Sequence, residues 1–311
     1  MQIENIVDRR RKGHFRLFGQ EYNIRESLTA FGFMAPAVIL SIIFVFLPIA
    51  ISLAFAFTNA NMMTIDNFDW VGFDTIARVF SDHRVEEALT NTLYFVAGVM
   101  PLQFLTALGL ALILKHVSHG NKFLRWAFFC PVMLSLAVTS MLWMNLLNKE
   151  DGLINTLLLT LGANPIAFLE NPKTAMPCII FISAWQGAGY QMLILLSALQ
   201  NIPREQYEAA EIDKASKWQQ FLNVTLPGIK PTMVFVFITM LIGAFRICVQ
   251  PMLMTPGGLN GATMTMSYFI YNQAQEYGNF GYSSAVALVY TFLIAAVSLL
   301  LRKVLGGDNQ E

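Results

Sequence analysis

The sequence predicts an all-α polytopic membrane protein with six transmembrane helices, and three observations carry that prediction. The chain has 311 residues, 55% of them hydrophobic and only 13% charged, with a mean hydropathy of +0.52. Soluble domains carry about 25% charge, so a soluble enzyme, a disordered chain and a basic nucleic-acid binder are excluded. The charges are also segregated, leaving uncharged windows longer than the roughly 20 residues a helix needs to cross hydrocarbon. Finally, Lys and Arg crowd into alternate connections, which sets an orientation.

Glu26 and Asp66 bracket 39 uncharged positions that contain the apolar run 31–57, the first span. That run starts too late and continues too long for a signal peptide, whose apolar core has about 7–15 residues, so it is expected to be retained. Glu87 and Lys115 bracket 27 uncharged positions, Arg125 and Lys149 bracket 23, and Lys173 and Arg204 bracket 30, giving spans two to four. The fifth, about 231–254, is interrupted by Arg246 alone, and the sixth fills the 25 positions between Glu276 and Arg302. Six spans put both termini on one side. With Arg9, Arg10, Arg11, Lys12, Arg16 and Arg25 inside, 15 of the 20 basic residues fall on the cytoplasmic side. The chain thus divides into a cytoplasmic N-terminal segment 1–30, a transmembrane domain 31–305 with a cytoplasmic loop 201–231, and a cytoplasmic tail 306–311.

Little in the chain speaks for catalysis. No phosphate-cradling G-x-x-x-x-G-K-S/T, no H-E-x-x-H, no G-x-S-x-G and no C-x-x-C is present. Cys130, Cys178 and Cys248 fall in or beside apolar spans without metal-ligand spacing and read as small buried thiols. His116 and His119 lack a third ligand and read as solvated loop residues. Carboxylates keep to the loops, so no acid pair for an intramembrane proton relay is visible. A permease without catalytic groups fits best; an ion-gradient carrier and a membrane scaffold or receptor are the rivals.

The loop 201–231 is too polar to span and too patterned for a passive linker. Pro203 suits a first helical turn, and Glu205 and Glu208 suit the N-terminal half of a helix. Asp213-Lys214 interrupts the pattern, and Ser216-Lys217-Trp218-Gln219 then has the form of a capping box that starts a second helix. Tyr207, Ala210, Ala215, Trp218, Phe221 and Leu222 recur at helical spacing as an apolar stripe. Leu226-Pro227 is expected to end the unit. Amphipathic helices of this kind suit lipid headgroups or a protein groove. Glu205, Glu208, Glu211 and Asp213 balance Arg204, Lys214, Lys217 and Lys230; anionic lipid would favour net positive charge, so the groove fits better.

Glu208-Ala209-Ala210, followed by Asp213, Phe221, Leu226-Pro227 and Pro231, resembles the E-A-A loop of ABC importer permeases. The resemblance is to the maltose-permease-like first subunit of the binding-protein-dependent carbohydrate group. It runs from about residue 30 to 305 through Phe33-Met34-Ala35-Pro36, Trp70-Val71-Gly72-Phe73, Asn91-Thr92-Leu93-Tyr94-Phe95, the segments 125–131, 152–155, 185–190 and 198–203, and Gly281-Tyr282. It implies a type I ABC importer transmembrane domain, multi-pass in a prokaryotic inner membrane, that binds no cofactor itself. The implied partners are two ATPase subunits holding ATP and Mg, a homologous second permease, an extracytoplasmic substrate-binding protein and membrane lipid. Glu208, Ala209, Ala210, Asp213, Lys214, Phe221, Leu226 and Pro227 would form a coupling helix seated in an ATPase cleft, pushed as the ATPase pair closes. Two positions depart from the family. Lys214 stands where Gly is usual; a left-handed backbone there would cost about 1–2 kcal/mol, so a different turn, or an acidic ATPase site facing Lys214, is expected. Thr255-Pro256-Gly257-Gly258-Leu259 carries the family's G-G-P loop with its Pro moved forward.

By the same resemblance a sugar pathway lies on the spans flanking the loop. The positions are Gln186, Gly187 and Tyr190, with Trp185, on span four, and Met240, Gly243, Ala244 and Ile247, with Arg246 interleaved, on span five. Aromatic faces suit sugar C–H surfaces, while Gln and Arg supply directional hydrogen bonds. Because the span-five positions are small or apolar, Tyr190 leads. Arg246 has three open readings: snorkelling to the outer interface, a structural ion pair, or a substrate contact. Trp143 reads as packing or an interface anchor, and Thr106, Gly109, Gly187 and Gly189 as close-packing sites against the second permease.

Overall fold

The computed structural model describes residues 14–17, 20–64, 66–115 and 119–306, and it divides into two units, Met1–Phe55 and Ala56–Glu311. The bases at 9–12, His116 and the tail beyond Gly306 lie outside the described residues.

In the first unit His14–Leu17 (β1) pairs antiparallel with Gln20–Asn23 (β2), a short departure from the all-helical expectation. A helix follows as Ile24–Ser41 (α1), a π turn at Ile42–Phe46, and Leu47–Phe55 (α2). Pro48 accounts for the π turn. Proline has no N–H to give and its ring crowds the carbonyl four residues back. The helix widens instead, with Leu47 N–H bonded to the Ile42 carbonyl.

The second unit contains Asp74–Ser81 (α3), His83–Ile113 (α4), His119–Met133 (α5), Leu136–Leu146 (α6), Leu153–Thr160 (α7) and Pro172–Gln200 (α8). Arg204–Ile212 (α9), Lys217–Gln220 (α10), a π turn at Phe221–Thr225, Leu226–Phe245 (α11), Val249–Met254 (α12), Met266–Gln275 (α13) and Phe280–Gly306 (α14) complete it. Among the described residues five helices are long and apolar enough to cross a membrane: Gly32–Phe55, His83–Ile113, Pro172–Gln200, Lys217–Met254 and Phe280–Val304. The predicted third span is a pair, Lys122–Met133 and Leu136–Leu146, bent by 99°, and makes a sixth if taken as one span. Pro131 removes an N–H near the end of α5, and Ser135 restarts the chain in a new direction by accepting the Val138 N–H at 3.2 Å.

Leu226-Pro227 does not end a helix as expected. The π turn before it, in which Leu226 N–H reaches the Phe221 carbonyl, absorbs the proline. The second loop helix therefore runs straight into the fifth span.

The long helices α4 and α8 lie along one another and carry the core. Phe95, Ile179, Ile182 and Phe245 fill one end of it, and Met192, Leu195, Ile229 and Val236 the other. Gly189 lets α5 approach α8, since a Cβ there would stand 2.2 Å from the Phe128 carbonyl oxygen. A Cβ on Gly187 would meet Gln103 Nε2 at 2.3 Å. Both glycines thus serve packing inside the chain. The three cysteines are free, and Cys130 is exposed instead of buried because its face of α5 turns outward.

Asp82 ties the start of α4 to α14. It receives the Arg84 guanidinium on both oxygens at 3.1 and 2.9 Å and the Tyr282 hydroxyl at 2.6 Å. The Arg84 hydrogen bond foremost, with Tyr282 assisting, holds its carboxyl at about 2, below the usual range.

Candidate functional site

Two features stand out, a braced knob between α8 and α11 and a cavity in the helical bundle above it. The knob begins at α9, which ends in a Schellman motif: Lys214 N–H bonds to the Glu211 carbonyl at 3.0 Å and Ala215 N–H to the Ala210 carbonyl at 2.9 Å. Lys214 has φ +56. The turn is therefore the left-handed one that Gly would favour, and the expectation of a different turn is corrected. Ser216 and Gln219 then form the predicted capping box, Ser216 N–H giving to Gln219 Oε1 at 2.8 Å and Gln219 N–H to Ser216 Oγ at 3.3 Å.

Side chains brace these turns. Lys217 Nζ bonds to Glu211 Oε1 at 2.9 Å, which lowers the Glu211 pKa. Arg204 pairs with Glu208 at 3.0 Å one turn on. The Tyr207 hydroxyl meets Thr225 Oγ1 at 3.0 Å, and Lys115 Nζ lies 5.6 Å from the Tyr207 ring. These contacts join α9 to α10, to the π turn before α11 and to Lys115 just beyond α4.

The E-A-A residues do not share a face. Ala210 is half-buried with Tyr207, Ala215 and Phe221, whereas Glu208 and Ala209 are exposed. Ile212, three residues beyond Ala209, is 81% exposed and extends the outward face. Sequence reasoning missed it, although its spacing from Ala209 was the available signal. Asp213 caps the helix at its C-terminus and is exposed. Leu226 and Pro227 sit at the start of α11, beyond the π turn.

The cavity, about 380 Å³, lies between α4, α8 and α11. Of the predicted pathway residues, Gln186, Gly187, Met240, Gly243, Ala244, Arg246 and Ile247 line it. Ser183, Gln191 and Gln250, which the sequence did not single out, line it as well. Ser183 Oγ gives to Gln250 Oε1 at 2.5 Å, Gln250 Nε2 to Gln186 Oε1 at 3.3 Å, and Gln186 Nε2 to the Leu134 carbonyl at 3.1 Å. Gln191 Oε1 is shut from solvent and forms no hydrogen bond. Arg246 caps α11 through its backbone N–H and is exposed, and among the described residues it forms no ion pair. Tyr190 stands elsewhere. It borders a second hollow of about 710 Å³ with Phe129, Asn201, Thr232 and Phe235.

The 99° bend at Leu134 and Ser135 and the break between α11 and α12 both border the first cavity. Interrupted helices leave backbone groups unpaired, and in hydrocarbon these are tolerated only where protein buries them or a wet cavity receives them. Amides and one guanidinium on an apolar background suit binding and orienting a polar molecule.

Interrupted apolar helices around a polar-lined space, with a braced knob joining two of them, define a membrane transport subunit. Residues 22–306 match the family described as the inner membrane component of binding-protein-dependent transport systems, and the chain belongs to that family. A probable ABC transporter permease of Bacillus subtilis is 32% identical over 283 residues, 90% of this chain and 96% of its own. The lactose transport system permease of Rhizobium radiobacter is 33% identical, covering 86% of this chain and 91% of its own. Among solved structures, a bacterial ABC transporter involved in import of the acidic polysaccharide alginate contains a chain of the same fold. It matches with TM-score 0.82 at 22% identity, covering 92% of this chain and 98% of that one.

Proposed function

We propose that this chain is one membrane-spanning subunit of an ATP-driven importer for a sugar or oligosaccharide delivered by an extracytoplasmic binding protein. The carrying observation is the route from knob to cavity: α9 is braced to the π turn that begins α11, and α8 and α11 wall the space where both helix breaks meet. Two ATPase subunits, with ATP and Mg, dock on this knob and on that of a homologous second permease. Glu208, Ala209 and Ile212 face the cleft, while Ala210 and Phe221 seat the knob on its own chain. Both termini are cytoplasmic, in keeping with 15 of 20 bases on that side.

Closure of the ATPase pair displaces α9 and, through Tyr207 and Thr225, the foot of α11. The cavity then changes the side to which it opens, with Arg246 offering donors to sugar hydroxyls. The hollow at Tyr190 lies nearer the knob on the same helices and serves as the inner stretch of the path. A lactose permease among the relatives supports a saccharide cargo. This chain hydrolyses nothing.

Ala209→Glu tests the coupling. In the reconstituted complex it should insert normally and lose binding-protein stimulation of ATP hydrolysis, returning to the basal rate. Stimulated hydrolysis at the wild-type level overturns the assignment, as does import that proceeds without ATP under an ion gradient.

A further inference from the structure

The family resemblance places a sugar path on spans four and five, yet a residue of span two reaches the same cavity. Gln103 of α4 lines it together with Gly187 of α8, Gly243 of α11 and Arg246 just beyond. Several polar side chains around this space are already committed. Ser183, Gln250 and Gln186 bond to one another and to the Leu134 carbonyl. The Thr239 hydroxyl is given to carbonyls of its own helix at 3.0 and 2.9 Å. Gln191 is buried with its Oε1 sealed.

Gln103 differs from all of these. It is half-buried, its amide forms no hydrogen bond among the described residues, and neither amide atom is sealed from solvent. Gly187 explains how that amide is held. The Cβ that Gly187 lacks would stand 2.3 Å from Gln103 Nε2, 2.8 Å from Cδ and 3.1 Å from Oε1. The whole amide therefore rests where another residue would place its own side chain. Phe104, the next residue, stacks on Phe237 of α11 at 4.3 Å and ties α4 to that helix. The cavity is open beside Gly243, where a Cβ would meet nothing within 4 Å. Arg246 is exposed and forms no ion pair among the described residues, but a guanidinium only donates. An amide adds an acceptor beside a donor, and sugar hydroxyls need both.

We infer that Gln103 is a cargo-binding residue of the path, its amide giving to and accepting from sugar hydroxyls, and that Gly187 is the positioning residue that seats it. The inference rests on the transport reading and adds a contact from a span that the resemblance leaves out.

Import of labelled lactose, cellobiose, maltose and xylobiose by the complete transporter in proteoliposomes, with ATP and saturating binding protein, provides the test. Gln103→Ala should lower the maximal rate for an accepted sugar about tenfold, the worth of one or two hydrogen bonds. The binding-protein concentration giving half that rate should not move, and neither should the melting temperature, since the amide holds nothing else in the chain. Gly187→Ala should also lower import, by displacing the amide, but should cost nothing more in the Gln103→Ala background, where no amide remains to displace. Full import by Gln103→Ala overturns the assignment. An equal loss from Gly187→Ala in both backgrounds overturns the seat and makes Gly187 a wall of the path in its own right. Wild type that imports none of the four sugars overturns the saccharide reading and this inference with it, a result distinct from the other two.

Discussion

Lys214 holds a backbone shape that its own side chain opposes. At φ +56 its Cβ crowds the neighbouring carbonyl, at a cost of about 1–2 kcal/mol that glycine avoids. Glycine would in turn enlarge the unfolded ensemble, by about 0.4–1 kcal/mol. Lys214→Gly should therefore raise stability by about 1 kcal/mol, read as a higher melting temperature of the purified transporter; a lower one would show that the ammonium contributes more than its backbone costs. The same variant separates geometry from charge. If the ammonium meets an acidic ATPase surface, stimulated ATP hydrolysis should fall even as melting temperature rises.

At the scale of elements, contact distance decides which glycine matters. Gly189 faces a backbone oxygen across the α5–α8 contact, whereas Gly187 faces the movable end of Gln103. Gly189→Ala must push α5 and α8 apart and should cost about 1–3 kcal/mol, the range for overpacking. Gly187→Ala needs only a new Gln103 rotamer and should cost about 1 kcal/mol or less. Melting temperatures of the two variants check the order, and equal losses would show that Gln103 is as fixed as the backbone. In sequence the two glycines look alike, two residues apart in one apolar window. The same limit hid the bend in the third span, because Ser135 reads as a tolerated polar residue in an apolar run until its hydroxyl is seen capping α6.

For the second unit as a whole, Asp82 and Tyr282 join positions 200 residues apart. The folded carboxyl titrates at about 2, below the unfolded value of about 3.9. Its stabilising contribution is therefore complete above about pH 4 and disappears as pH falls toward 2. Asp82→Asn should lower stability at neutral pH by about 1–2 kcal/mol and flatten the acid dependence in that window. An unchanged dependence of melting temperature on pH below 4 would assign acid sensitivity to other carboxylates. The spans themselves were legible because the bilayer forbids charge, and a forbidden residue type leaves a gap that can be measured. The knob was legible because Ser216, Gln219 and Tyr207 follow local rules of capping and spacing. The cavity was only partly legible. Gln186, Gly243 and Arg246 came from resemblance and do line one space, while Tyr190 borders another, and the Ser183–Gln250–Gln186 chain needs residues 67 positions apart.

The π turn at Phe221–Thr225 makes the fifth span two helical wheels instead of one. A π turn takes one extra residue to complete a circuit, so side chains beyond it fall about 100° out of phase with those before it. A wheel drawn from Lys217 straight through to Phe245 would point Trp218 and Gly243 along directions that the chain does not relate. Deleting one residue from the turn would bring the two halves into phase and rotate the knob about the span axis without touching either face. Insertions and deletions between Gln220 and Leu226 are thus angular changes, and the length of that turn sets the direction in which a push on the knob arrives.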